Sequence, residues 1–157
     1  MAQRAIYLFG NRMLKLTLAE LKDSLPAFSN LVNQRINASA KISYNLGKTW
    51  RSIQTETEHL RENEITILKK YGAVETPNGW KVDPDKLSEA KKAKLEKELD
   101  DLYAVEIEVW GTKLKLEEIE NAAISLTPAQ FAQLDWLIAD PEGETANNSG
   151  QANAASA

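Results

Sequence analysis

One histidine sets the first limit on chemistry. Glu56-Thr57-Glu58-His59 has the Glu-x-x-His spacing that lets a helix aim a carboxylate and an imidazole at one metal ion, as in di-iron carboxylate bundles. Such a centre needs two of these pairs and two further carboxylates. With 1 His in 157 residues, only an oligomer would complete the set. His59 also falls beside the apolar seam of its helix, which turns it to solvent. A Ser-His-Asp triad would have to recruit the same residue from the middle of a charged helix, and no Gly-x-Ser-x-Gly turn presents a serine nucleophile. The chain has no Cys, which excludes disulfides, thiolate metal sites and a cysteine nucleophile. Its 7 glycines are scattered with no Gly-x-Gly, so no loop cradles phosphate. Asp100-Asp101 and Glu117-Glu118 are adjacent pairs expected to face water. The expectation is a protein that is not an enzyme, with no catalytic, cofactor-binding or metal-binding residue and no cofactor.

The chemistry that remains is recognition. Trp80 and Trp110 fall at the turns of two expected hairpins, and Glu106 and Glu108 alternate along the strand leading to Trp110. Exposed tryptophan beside charged strand residues is the composition of a protein-contact hot spot, so these four are the candidate partner contacts; packing of each hairpin back onto the helical body accounts for the two tryptophans equally well. Trp50 and Trp136 lie on or beside apolar stripes and are read as core.

Composition places these residues in an ordinary globular chain, 43% hydrophobic and 27% charged. No apolar run approaches the ~18 residues that span a bilayer, and no membrane association is expected. The net charge of −4 is unevenly spread. Residues 1–71 carry 11 Lys/Arg against 6 Asp/Glu, and residues 72–157 carry 8 against 17. Lys91-Lys92-Ala93-Lys94 invites a nucleic-acid reading, but Glu89, Glu96 and Glu98 cancel most of its field. No aromatic–basic motif accompanies it, so nucleic acid is not an expected partner.

The elements that must position these residues are mostly helical. Thr17-Leu-Ala-Glu20 is a capping box opening a helix to about Arg35. Leu18, Leu21, Leu25, Phe28 and Val32 form its stripe, and Pro26 predicts a break or kink near Leu25. A second helix is expected from about Ala38 to Tyr71, stopped by Gly72. Its seam is Leu46, Trp50, Ile53, Thr57, Leu60, Glu64, Ile67 and Tyr71. At about 1.5 Å per residue it outspans a small core and needs a partner helix. The polar Thr57 and Glu64 leave open whether that partner comes from its own chain or another.

Residues 73–83 read as a hairpin with the three-residue loop Pro77-Asn78-Gly79, pairing Val74 with Val82, Glu75 with Lys81 and Thr76 with Trp80. Asp83-Pro84 predicts the start of a third helix running to about Tyr103, with Leu87, Leu95, Leu99 and Leu102 on one face. It is expected to fold back on the second helix as an antiparallel helical hairpin. Residues 105–116 read as a second hairpin turning at Trp110-Gly111, with Glu108 opposite Lys113 and Glu106 opposite Lys115. Glu117–Glu120 predicts a helical turn. Thr127-Pro128-Ala129-Gln130 caps a last short helix carrying Phe131, Leu134, Leu137 and Ile138.

This order of elements resembles a group of small tailed-phage and prophage proteins over about residues 13–139. The likeness is carried by Leu14-Lys-Leu-Thr-Leu-Ala-Glu-Leu-Lys-Asp-Ser-Leu-Pro26, by Lys69-Lys-Tyr-Gly72, by Asn78-Gly79 before Val82, and by Val105-Glu-Ile-Glu108. Leu114-Lys-Leu116 and Ser125-Leu-Thr-Pro-Ala129 complete it. The chain departs from the group at residues 1–12 and in its Ala/Asn-rich end. The resemblance implies a phage or prophage origin. It implies no activity, and no functional residue is carried over from it.

The expected fold is therefore α+β and mostly α: a long antiparallel helical hairpin with an N-terminal helix, small β-hairpins and a disordered C-terminal tail. Residues 1–12 are an extension or short strand, 13–140 a single α-rich domain, and 141–157 the tail, which has no large apolar residue to offset its ordering entropy. The expected function is protein–protein interaction, as a minor virion component or an assembly accessory or chaperone. The alternative is a small acidic protein that binds and inhibits a host defence enzyme. Partners are other phage proteins, a host protein or a second copy of the chain. The place is the host cytoplasm, with incorporation in the virion as a further expectation.

Overall fold

Every helix of more than six residues begins where a hydroxyl can hold one of its first free amides. The computed structural model describes residues 12–141. Thr17 caps α1 (Leu18–Asn33): its Oγ1 accepts the Glu20 N–H at 3.2 Å, and the Glu20 carboxylate accepts the Thr17 N–H at 3.4 Å. Ser39 caps α2 (Ala40–Lys70) by accepting the Ile42 N–H at 3.3 Å. Past its end Gly72 takes φ +81°, the left-handed conformation open to a residue without Cβ. Ser88 caps α3 (Glu89–Tyr103) in the same way. Two short helices follow, α4 (Leu116–Asn121) and α5 (Pro128–Gln133), the latter with the expected Thr127–Gln130 box. The strands are β1 (Met13–Thr17), β2 (Val74–Thr76), β3 (Gly79–Lys81) and β4 (Glu106–Trp110). The fold is α+β and mostly α, with two small antiparallel sheets, β1–β4 and β2–β3. The extension or strand expected over 1–12 and the tail expected over 141–157 lie outside the described residues, apart from Arg12 and Pro141.

Four expectations are corrected. The hairpin over 105–116 does not form: β4 pairs instead with β1, setting Leu14 opposite Val109 and Leu16 opposite Ile107. The local hairpin would need Trp110 at positive φ. In the fold the unusual backbone falls on Gly111, at φ +155°. Pairing with β1 also adds the buried Leu14 and Leu16 to Val109 on the core side. Leu114 then makes a parallel bridge to the C-terminal segment, donating to Leu137 at 2.7 Å and accepting from Ala139 at 2.8 Å.

The 73–83 hairpin is shifted by one residue. Its loop is Pro77-Asn78, and its pairs are Val74–Lys81, Glu75–Trp80 and Thr76–Gly79. Gly79 spends its positive φ (+102°) at the start of β3, where Thr76 Oγ1 donates to its carbonyl at 2.6 Å.

The third helix starts later than expected. Asp83-Pro84 opens only a 3-10 turn (Pro84–Lys86), Leu87 is extended, and Ser88 supplies the cap that propagates. Finally, of the break or kink expected near Leu25 the break does not occur: α1 runs on through Pro26. Pro26 lies on the exposed side, where the carbonyl it leaves unbonded can be hydrated. The buried face is Leu18, Leu21, Ser24, Ala27, Phe28 and Leu31, with Leu25 and Val32 half-buried.

The core centres on Phe28, which is fully buried. Its ring stacks on Trp50 of α2 at 5.6 Å and on Trp136 near the C-terminal end of the fold at 5.9 Å. One side chain thus ties three stretches of chain together by area and by offset stacking. At the opposite end of α1, Lys22, Glu64 and Tyr103 form a closed triangle. Lys22 Nζ donates to Glu64 Oε1 and to the Tyr103 hydroxyl, which donates on to the same Glu64 oxygen, each at 3.1 Å. The Tyr103 hydroxyl first, then Glu64, raises the Lys22 pKa above its ordinary 10.5 against the opposing pull of burial.

Three outcomes follow from these contacts. Phe28→Ala is expected to cost about 3–5 kcal/mol in denaturant unfolding followed by tryptophan fluorescence. A Cβ on Gly111 would meet Thr49 Oγ1 at 2.5 Å and Leu14 Cδ1 at 3.0 Å. Gly111→Ala should therefore destabilise by about 1–3 kcal/mol, and the Gly111→Ala/Thr49→Ala pair should be less than additive in a double-mutant cycle. Tyr103→Phe should cost about 0.5–1.5 kcal/mol at neutral pH. The Lys22 pKa is raised on folding, so its stabilisation is complete below 10.5 and fades as pH climbs through the folded value. The gap between Tyr103→Phe and the parent in urea unfolding should shrink over that range. With Lys22 half-exposed, solvent screening keeps the effect small.

Candidate protein interface

β4 alternates with period two: Ile107 and Val109 turn to the core, while Glu106 and Glu108 are exposed. Trp110 shares their face and is half-buried. Across the ladder these three stand opposite Thr17, Lys15 and Met13. The bonds from Leu18 N–H to the Val105 carbonyl and from Gly111 N–H to the Arg12 carbonyl fix the phase of the ladder. In an antiparallel pair the bonded positions then alternate, so the backbone groups of Glu106 and Glu108 point away from β1.

α2 holds the other side of Trp110. The Trp110 backbone N–H donates to Ser52 Oγ at 3.1 Å. Lys48 Nζ lies 5.1 Å from the Trp110 ring and 5.1 Å from the Tyr44 ring, so one ammonium bridges two aromatic faces. Tyr44 is 62% exposed and Met13 42% exposed. A continuous patch therefore runs from Tyr44 and Lys48 through Trp110 to Met13 and Lys15, and along β4 to Glu108 and Glu106.

Three of the four residues singled out from sequence, Trp110, Glu106 and Glu108, thus share one strand face. Trp80 does not join them. It sits in the other sheet, half-buried, with Lys69 Nζ 4.5 Å from its ring centroid. Tyr44, Lys48 and Met13 were not legible as members. Tyr44 and Lys48 are four residues apart on one helix face, which hints at a pair, but nothing in the sequence brings Trp110 to them.

His59 is exposed on α2, and its backbone carbonyl accepts the Asn63 side chain at 2.9 Å. Among the described residues no group of three or more His, Asp or Glu side chains is placed to hold a metal ion. No helix of the described residues is long and apolar enough to cross a membrane. A cavity of about 360 Å³ lies where α2 meets the 3-10 turn, lined by Lys70, Tyr71, Asp83, Lys86 and Lys91 among others. Two of its polar groups are committed: Lys70 to Glu98 at 3.4 Å, and the Asp83 carboxylate to the Asp85 N–H at 3.0 Å. The chain has no match among protein-family models, curated proteins or solved structures.

Proposed function

We propose that this is a non-enzymatic protein-interaction protein of phage origin, acting as a minor virion component or an assembly accessory. The observation that carries the reading is the patch of Tyr44, Lys48, Trp110, Met13, Lys15, Glu108 and Glu106. Tyrosine, tryptophan and methionine are enriched at the centres of protein interfaces, and here they are flanked by charges of both signs that would set orientation and partner choice.

In this reading α2 and α3 form a long antiparallel helical hairpin that serves as the stiff frame. Glu64 reaches Tyr103 and Lys70 reaches Glu98, so residue numbers rise along one helix as they fall along the other. The phage origin rests on the order of patterns over residues 13–139. The protein would act in the host cytoplasm and enter the particle with its partner. A second reading, a small acidic inhibitor of a host defence enzyme, draws on the exposed Glu106–Glu108 pair and the acidic balance of residues 72–157.

Affinity capture from infected cells, read by mass spectrometry, separates the two. Capsid, portal or tail proteins are expected. A single host enzyme without virion proteins would replace the first reading with the second. For either partner, Glu106→Lys/Glu108→Lys and Trp110→Ala should each weaken binding more than about tenfold, measured at a temperature where circular dichroism shows each variant folded, because Trp110 is half-buried and Glu108 stands opposite Lys15. Binding that survives both variants would remove the β4 face from the interface.

A further inference from the structure

α2 carries one glycine, Gly47, near its start. Glycine is a poor helix former, and nothing among the described residues crowds this one: a Cβ built there meets no atom within 4 Å. Gly111 differs, since Thr49 fills the space beside it. Gly47 is exposed and lines an open groove of about 290 Å³. Val32, Ile36, Leu46 and Trp50 supply its apolar surface, and Trp50 is held by its stack on Phe28. Asn33 and Ser43 are its polar members, and the Asn33 amide is turned to Ser29. None of the lining residues is charged. An uncharged groove beside a helix position with no side chain suits an apolar segment whose backbone passes close to the helix.

The chain itself carries such a segment. Residues 5–9 are Ala-Ile-Tyr-Leu-Phe, and none of residues 5–11 is charged. Residues 1–11 lie outside the described residues, as do 142–157, but the latter include no large apolar side chain. The described chain begins beside α2. The Arg12 carbonyl accepts the Gly111 N–H at 2.8 Å, and Gly111 abuts Thr49. Met13 stands opposite Trp110, whose ring lies 5.1 Å from Lys48 Nζ. Lys48 and Thr49 are within two residues of Gly47, about 3 Å along the helix axis. An extended chain covers about 3.3 Å per residue, so Phe9 can lie ~10 Å from Arg12 and Ile6 ~20 Å. A helix with its side chains is about 10–12 Å across. Residues 6–9 can therefore span α2 from the start of β1.

We propose that residues 5–9 of this chain cross α2 over Gly47 and seat apolar side chains in the groove of Val32, Ile36 and Trp50. They act as a strap that ties the start of the chain to α1 and α2. The backbone crosses where the helix has no side chain, and burial of Ile6–Phe9 against the groove drives the contact. No charge pair is involved, so salt should leave it intact. The contact does not depend on the function proposed for the β4 face.

Disulfide scanning of the full chain tests the strap, because the sequence has no cysteine of its own. Ile6→Cys, Tyr7→Cys, Leu8→Cys and Phe9→Cys are each combined with Ser43→Cys at the groove, and each with Thr55→Cys as control. Ser43 and Thr55 are both exposed and stand at equal separations in sequence on either side of Thr49, so a tethered but undirected chain finds them alike. In dilute protein at least one Ser43→Cys pair should close an intrachain bond about tenfold faster than its control, in low and high salt alike. Gly47→Glu keeps a good helix former at the crossing and should bring that rate down to the control, with circular dichroism showing the variant folded. Four pairs that close no faster than their controls overturn the proposal. So does closure indifferent to Gly47→Glu. Covalent dimers that rise with concentration in place of the intrachain bond overturn it as well, since a second copy would then hold the groove.

Discussion

The pairing of β1 with β4 is the constraint on which the other elements depend. It joins Met13–Thr17 to Glu106–Trp110, strands far apart in the chain. Its two ends fix their neighbours. At one, Leu18 N–H donates to the Val105 carbonyl at 3.0 Å, so the first residue of α1 and the residue two past the end of α3 share a bond. At the other, Gly111 passes so close to Thr49 of α2 that no side chain fits. All three long helices are therefore placed by one ten-residue ladder. Ordering so distant a pair costs loop entropy, which the buried Leu14, Leu16 and Val109 help to offset.

Within that frame the polar residues on the seam of α2 are satisfied without another chain. Thr57 returns its hydroxyl to the Ile53 carbonyl one turn back at 2.7 Å, as the buried Thr49 beside the seam does to Asn45 at 2.9 Å. Glu64 closes the triangle with Lys22 and Tyr103. A helix longer than the core thus uses apolar contacts along Leu46, Ile53 and Leu60 and charged hydrogen bonds beyond them, where α3 is the neighbour. Exposed apolar side chains among the described residues include Met13, Tyr44, Val74, Val105 and Leu116, while the leucines of α3 stay half-buried.

The chemistry of the surface follows the same division. The side of β4 away from the core gathers aromatic, thioether and charged groups from three elements. The cavity by the 3-10 turn gathers ammonium groups, a phenol and a carboxylate. Aromatic, thioether and charged groups gathered on one face serve recognition by shape and charge, and the proposed role rests on the β4 patch.

Local chemistry was legible in the sequence. The capping hydroxyls of Thr17 and Thr127, the stop at Gly72, the helical periodicity of α1 and α2 and the mostly-α class all depend on residues within one or two turns of each other. Their energies do not wait for the rest of the chain. The alternation of Glu106 and Glu108 was equally readable, because a strand has period two whatever it pairs with. What the strand pairs with was not. Both Leu114-Lys-Leu116 and Met13–Thr17 offer alternating apolar partners to β4, and only burial in three dimensions ranks them. The same holds for the register around Gly79, for the choice of Ser88 over Asp83 as the cap that propagates, and for the passage of α1 through Pro26. Competing local signals of similar strength are separated by a few contacts with distant residues. The meeting of Tyr44, Lys48 and Trp110 is the extreme case. Sequence set their types, and the β1–β4 ladder alone, by carrying Trp110 against Ser52, decided that they form one surface.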